Sequence, residues 1–124
     1  MSPTVLITGA SQGIGQATAL KFARNGYNLV LAARNQERLD FLVEVLEKAG
    51  HPALAIATDT QDASQVKELI DRAIAHFGGI DVLINNAGIY ASGTTESFSL
   101  EDWHRVIDTN LWGYIHTIHT VLPH

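Results

Sequence analysis

The sequence predicts one α/β domain, a parallel sheet of strand order 3-2-1-4 with helices on both faces. Four short segments are rich in Val, Ile, Leu or Ala without polar alternation, which is typical of strands buried on both faces. Between them, apolar residues recur at helical spacing. Strands alternating with helices through right-handed crossovers give a doubly wound sheet. A length of 124 residues fits a single domain.

The strands are predicted over Thr4–Thr8, Asn28–Ala33, 53–58 and 81–85. The first helix is predicted over residues 14–22. Apolar stripes mark the second helix, at Leu39, Leu42, Val43 and Leu46, and the third, at Val66, Ile70, Ala73, Ile74 and Phe77. We expect the first two helices on one face of the sheet and the third and fourth on the other.

The sequence also predicts where the helices begin and end. Gly26 and Gly50 are expected to end the first two helices and Gly78-Gly79 the third, which Asp62 should cap at its start. A single fourth helix is predicted over residues 100–122, before Pro123. Asn110 shares a helical face with Trp103, Val106, Ile107, Leu111 and Tyr114. We therefore expect this asparagine to be buried and hydrogen-bonded, because an unpaired buried polar group costs about 1–3 kcal/mol.

A glycine-rich segment joins the first strand to the first helix, Thr8-Gly9-Ala10-Ser11-Gln12-Gly13-Ile14-Gly15. Glycines let a backbone approach a pyrophosphate, and the new helix offers its unpaired N–H groups and positive dipole end. This context predicts a nucleotide-phosphate loop. The alternative is a turn that binds no ligand.

The predicted strand order places a topological switch between strands 1 and 4, where ligands bind at the carboxyl ends of the strands. The glycine loop (residues 8–15) follows strand 1, and Asn85-Asn86-Ala87-Gly88 follows strand 4. The two loops should face each other across one crevice. As an alternative for the second loop, Asn and Gly also suit an ordinary turn with left-handed residues.

These two segments, followed in order by Asn110, closely resemble the short-chain dehydrogenase/reductase family over the whole chain. The resemblance implies a Rossmann-type fold, a nicotinamide dinucleotide cofactor, and hydride transfer between an alcohol and a carbonyl. It implies cofactor contacts at Gly9, Ser11, Gln12, Gly13, Ile14, Gly15, Asp59, Thr60, Asn86, Ala87 and Gly88.

Two residues carry more specific implied roles. In the family, the position of Asp59 contacts the adenine amino group, and Asn110 holds a water in a proton relay. Alternatively, Asp59 is a turn aspartate that bonds local backbone, and Asn110 is satisfied by backbone groups alone.

The end of the second strand indicates which dinucleotide is preferred. An acid there binds the 2′-hydroxyl of NAD, whereas an arginine accommodates the 2′-phosphate of NADP. The chain reads Leu31-Ala32-Ala33-Arg34-Asn35, with no acid. Arg34 suits phosphate because its planar fork donates two hydrogen bonds, and Asn35 adds another donor. NADP is therefore predicted over NAD. Otherwise, Arg34 is a solvated charge at the start of the second helix.

The chain departs from the family in its acid/base residues. The family uses a serine and a Tyr-x-x-x-Lys pair, but Tyr27, Tyr90 and Tyr114 are followed four residues later by Leu31, Thr94 and Ile118. We therefore expect residues 1–124 to be the dinucleotide-binding, N-terminal part of a longer single-domain enzyme acting on a small alcohol or carbonyl compound, and to be inactive alone. The competing class is a non-catalytic dinucleotide-binding or redox-sensing module.

The composition limits the classes of partner that we expect for this protein. The net charge is −5 with no basic stretch, which argues against nucleic acid. No apolar stretch approaches the roughly 20 residues that span a membrane. The lack of cysteine and of a signal peptide leads us to expect a cytoplasmic protein. His116 and His119 lack further ligands, so no metal site is predicted.

Self-association is expected from two features. Trp112, Ile115 and His119 form an outward stripe on the 100–122 helix, which predicts a homo-oligomer through this helix or else an ordinary surface. The fourth strand is an uncharged edge of the kind that templates further strand pairing.

Overall fold

The computed structural model describes residues 2–11, 13–86, 97 and 99–124. Four parallel strands form one sheet in the order β3-β2-β1-β4, which confirms the predicted order. The strands are β1 (Thr4–Thr8), β2 (Asn28–Ala33), β3 (Ala53–Ala57) and β4 (Val82–Ile84). β3 and β4 are shorter than predicted. At the centre of the sheet, Ile7 of β1 pairs with Leu31 of β2 and Ile84 of β4.

Successive side chains of the central strands enter opposite cores, which explains their continuous apolar character. Val5, Ile7 and Leu31 pack with the helices α1 (Gly13–Arg24) and α2 (Gln36–Lys48). Leu6 and Val30 pack on the other face with α3 (Ala63–Phe77). Val121, from the last helix, packs against this second core. The predicted distribution of helices over the two faces is therefore confirmed.

The predicted cap of α3 is present. The Asp62 side chain accepts hydrogen bonds from the backbone N–H groups of Ser64 and Gln65. The bond from the Ser64 hydroxyl, together with these backbone bonds, lowers the pKa of Asp62 below its ordinary value. The negative charge that lies at the positive end of α3 is thereby favoured.

The single helix predicted over residues 100–122 is wrong in detail. It consists of α4 (Leu100–Ile107), a π-helical turn (Asp108–Trp112) and α5 (Gly113–Val121). Apolar spacing does not distinguish a π-turn from an α-turn, because the two differ only in one hydrogen-bond step. Within the described residues, no helix combines the length and hydropathy needed to cross a membrane.

The predicted inner face of this region is also wrong. Trp103, Ile107 and Leu111 are 45%, 41% and 51% exposed, and Asn110 itself is only half-buried. The buried side chains are instead the small residues Thr109 and Thr117, at 2% and 0% exposure. Small side chains allow close helix packing, which decides the orientation here more strongly than hydrophobicity does.

Candidate functional site

The glycine loop and the segment after β4 meet at the carboxyl ends of β1 and β4. The backbone N–H of Asn86 donates to Thr8 Oγ1 at 3.0 Å, and Asn86 Nδ2 donates to the carbonyl oxygen of Gly9 at 3.1 Å. Asn86 therefore ties the two loops together. The sequence analysis did not predict that Thr8 joins the two loops. The signal that could have indicated it is a hydroxyl side chain at the end of a buried strand. Gln12, Ala87 and Gly88 lie outside the described residues.

Two glycines of the loop have different roles. A Cβ on Gly15 would collide with the carbonyl oxygen of Gly9 and lie 2.7 Å from Asn86 Nδ2, so only glycine fits where α1 packs on the loop. Gly13 has φ +60°, and among the described residues nothing outside its chain neighbours and its own helix lies within 4 Å of its Cβ position. The neighbouring Ile14 is 77% exposed. The first turn of α1 thus borders open space, which suits an anion at a helix N-terminus.

Arg34 and Asp59 lie together at the ends of β2 and β3. Arg34 Nε is 3.9 Å from Asp59 Oδ1, and the two side chains are 55% and 39% exposed. An ion pair this long and this exposed contributes little stability. It does place a guanidinium beside the carboxylate that the family resemblance assigns to adenine.

Asn35 and Asp59 each make a local hydrogen bond. Asn35 is the N-cap of α2, and its Oδ1 accepts from the Arg38 backbone N–H at 3.0 Å. The amide nitrogen of Asn35 is then the end suited to donating to a ligand. Asp59 Oδ1 accepts from the Gln61 backbone N–H at 3.0 Å, which is the local turn interaction considered above. The proposed ligand roles of both residues remain predictions.

A groove of about 400 Å³ runs beside the glycine loop between α1 and α2. It is lined by Ser11, Gln16, Glu37, Arg38, Phe41 and Leu42. Ser11, a predicted cofactor contact, therefore shares this groove with Arg38 in the first turn of α2. Arg38 did not stand out in the sequence.

Helix α5 contacts the site from the opposite side. Thr117 Oγ1 donates to Asn85 Oδ1 at 2.7 Å, and His116 Nδ1 lies 2.8 Å from the carbonyl oxygen of Thr60. Asn110 lies on the preceding π-turn. The contacts of His116 and Thr117 join residues 56 and 32 positions apart, so local sequence patterns gave no sign of them.

Comparison with known proteins places the chain in a family. The sequence model of the short chain dehydrogenase family matches residues 3–124. The 3-oxoacyl-(acyl-carrier-protein) reductase FabG of Staphylococcus aureus is 38% identical over 124 residues, which are 99% of this chain and 50% of that protein. This chain belongs to the short-chain dehydrogenase/reductase family. It spans about half the length of the curated relatives it matches.

Solved structures share the fold closely. A short-chain dehydrogenase/reductase from Burkholderia phymatum in complex with NAD has a TM-score of 0.96 and 36% identity, over 98% of this chain and 43% of that one. A variant of the actinorhodin polyketide ketoreductase with NADPH has a TM-score of 0.94 and 32% identity, over 98% and 46%. Both nicotinamide dinucleotides therefore occur among these similar structures.

Proposed function

We propose that this chain is the NADP(H)-binding part of a short-chain oxidoreductase acting on a small alcohol or carbonyl compound. The observation that carries the proposal is the space before α1, which no described residue outside that helix fills on the Cβ side of Gly13. Asn86 holds the glycine loop beside this space against the second loop. A pyrophosphate fits there because backbone N–H groups and the helix dipole point at it. NADP(H), when bound, supplies or accepts the hydride. The named relatives are reductases, which supports this assignment.

The residues divide by the part of the cofactor that they would hold. The glycine loop would take the pyrophosphate, with Gly9, Ser11, Gln12, Gly13, Ile14 and Gly15. Arg34 and Asn35 would take the 2′-phosphate, Asp59 and Thr60 the adenine, and Asn86, Ala87 and Gly88 the nicotinamide side. Asn110 would hold a relay water.

The wider context is proposed on the same basis. Residues 1–124 would be one dinucleotide-binding domain within a longer cytoplasmic enzyme. A non-catalytic dinucleotide-binding or redox-sensing module is the second candidate, favoured by the lack of a Tyr-x-x-x-Lys pair in these residues. The mass of the native protein distinguishes them. A longer chain supports the enzyme, and a native end at His124 supports the module.

Replacing Arg34 by alanine should remove the preference for NADP over NAD. A charge-assisted bidentate contact contributes roughly 1.5–3 kcal/mol, which corresponds to about a 10- to 150-fold rise in the Kd for NADP. The Kd for NAD should stay within about twofold. Both constants are measured by fluorescence titration on the complete protein.

Arg24→Ala is the matched control, because Arg24 is an exposed arginine in the last turn of α1, away from the crevice. It should leave both constants unchanged. An unaltered NADP/NAD ratio in Arg34→Ala would show that Arg34 is only a solvated charge.

We also propose that the protein self-associates through the 100–122 region. The outward residues Trp112 and Ile115 are 49% and 39% exposed, and Trp103, Ile107 and Leu111 of the same region are exposed as well. Several large apolar side chains exposed in one region are typical of protein interfaces.

Leu111→Glu should therefore lower the sedimentation coefficient toward that of the monomer. Phe41→Glu, at a 66% exposed position on α2, introduces the same charge elsewhere and should leave sedimentation unchanged. A wild-type monomer at all concentrations, or equal effects of both variants, would contradict the proposed interface.

A further inference from the structure

One hydrogen bond joins α5 to the loop that follows β3. His116 is half-buried, and its Nδ1 lies 2.8 Å from the backbone carbonyl oxygen of Thr60. A carbonyl oxygen only accepts, so Nδ1 carries the proton in this contact. The neutral ring is therefore the Nδ1–H tautomer. Thr60 is only 6% exposed and directly follows Asp59.

The backbone of α5 also packs closely against this loop. A Cβ on Gly113, one turn before His116, would lie 2.7 Å from Thr60 Oγ1 and 3.3 Å from Thr60 Cβ. Glycine at this position lets α5 come near enough for His116 to reach the carbonyl. The close packing of Gly113 and the hydrogen bond of His116 thus both involve Thr60.

Two further hydrogen bonds of the loop, both within the described part of the chain, are local. The Asp59 backbone N–H donates to Gln65 Oε1 at 2.8 Å, and the Gln61 N–H donates to Asp59 Oδ1 at 3.0 Å. These bonds join the loop to itself and to α3, and the long, exposed ion pair of Asp59 with Arg34 adds a weak link to the end of β2. The His116 bond comes from outside this segment, so it fixes the loop relative to the rest of the molecule.

We propose that His116 is a positioning residue that holds the 59–61 loop in place for the adenosine end of the cofactor. The proposal rests on the function proposed above. Asp59 carries the implied adenine contact, and its Oδ1 also lies 3.9 Å from Arg34 Nε. A shift of this loop would therefore disturb both the adenine contact and the ion pair with Arg34. When the loop is already fixed before the ligand binds, the free energy of binding is not reduced by the cost of ordering the loop. His116 itself does not touch the cofactor in this scheme.

The test compares three substitutions of His116 with one control substitution in the complete protein. His116→Ala removes the donor. His116→Asn retains a donor at nearly the position of Nδ1, whereas His116→Gln places its amide one bond further out. His76→Ala is the control, because His76 is exposed in the last turn of α3, at the far end of that helix from the 59–61 loop. The probes are NADPH and adenosine 2′,5′-bisphosphate, which represents the adenosine end alone.

Loss of one neutral hydrogen bond should weaken both probes about three- to tenfold in His116→Ala. His116→Asn should recover wild-type affinity within about twofold, and His116→Gln should not. Amide hydrogen exchange at residues 59–61 should accelerate in the ligand-free His116→Ala protein and not in His76→Ala. If His116→Ala does not fold, the Asn and Gln variants make the same comparison.

The possible outcomes distinguish a failure of the positioning role from a failure of the proposed function. Wild-type affinity for adenosine 2′,5′-bisphosphate in folded His116→Ala, or equal affinities in the Asn and Gln variants, overturns the positioning role. A wild-type protein that binds neither probe instead overturns the proposed function. In that case, unchanged exchange at residues 59–61 in His116→Ala still overturns the positioning contact.

Discussion

Replacing Gly13 by valine should abolish NADPH binding and leave the fold intact. Apart from its chain neighbours and its own helix, no described residue lies within 4 Å of the Cβ position of Gly13, so the new side chain would enter the space before α1. That space is where we place the pyrophosphate, and the branched side chain would prevent the backbone from approaching it. We expect affinity to fall by at least roughly 100-fold, about 2.7 kcal/mol.

Backbone strain is the confounding effect, because φ of +60° at Gly13 is unfavourable for valine. Such strain costs on the order of 1–3 kcal/mol of stability. Gly26→Val is the matched control: Gly26 has φ +83° with open space around it, and it lies between α1 and β2, at the opposite end of the strands. Both variants should lose similar stability in urea unfolding, but only Gly13→Val should lose NADPH. Normal affinity in folded Gly13→Val would refute the placement of the phosphate.

The 124-residue chain alone should show no measurable reduction of aldehydes or ketones. None of its three tyrosines has a lysine four residues later, so it lacks the pair that transfers the proton in the family. A positioned general acid/base contributes about 10²–10⁴-fold to a rate. The measurement is NADPH oxidation by purified chain of confirmed mass, with a panel of carbonyl compounds and sedimentation of the same sample.

An active longer protein assayed beside the inactive chain would support the assignment of chemistry to residues beyond these 124. Turnover by a monodisperse chain would contradict it. The half-buried Tyr114 on α5 would then be the first tyrosine to replace.

The sheet could be predicted because its strands carry a local signal. Strands buried on both faces read as uninterrupted apolar segments, and the order of such segments with helices limits the topology. The glycine loop could also be predicted because it carries a local sequence signal. The sequence did not indicate that Gly15 is crowded by Gly9 and Asn86 whereas Gly13 is open, because that difference depends on how the loop folds back on α1 and on Asn86, which follows β4.

The 100–122 region shows where local patterns fail. Its large apolar residues predicted the inner face, yet Trp103 and Leu111 point outward. The close approach of Gly113 to Thr60 and the buried hydroxyl of Thr117 determine the orientation. These are pairings with the ends of β3 and β4, and no helical period encodes them. The π-turn that carries Asn110 was missed for the same reason.

The position of Arg34 has a consequence for how cofactor preference can evolve. Ala33 ends β2 and Asn35 caps α2, so Arg34 is a single exposed residue between two structural elements. A substitution there alters neither the strand ladder nor the helix cap, and surface changes of this kind usually cost less than about 0.5 kcal/mol. Under the role proposed above for Arg34, a lineage would therefore weaken its preference for NADP by changing one codon, without first acquiring a stabilising mutation elsewhere.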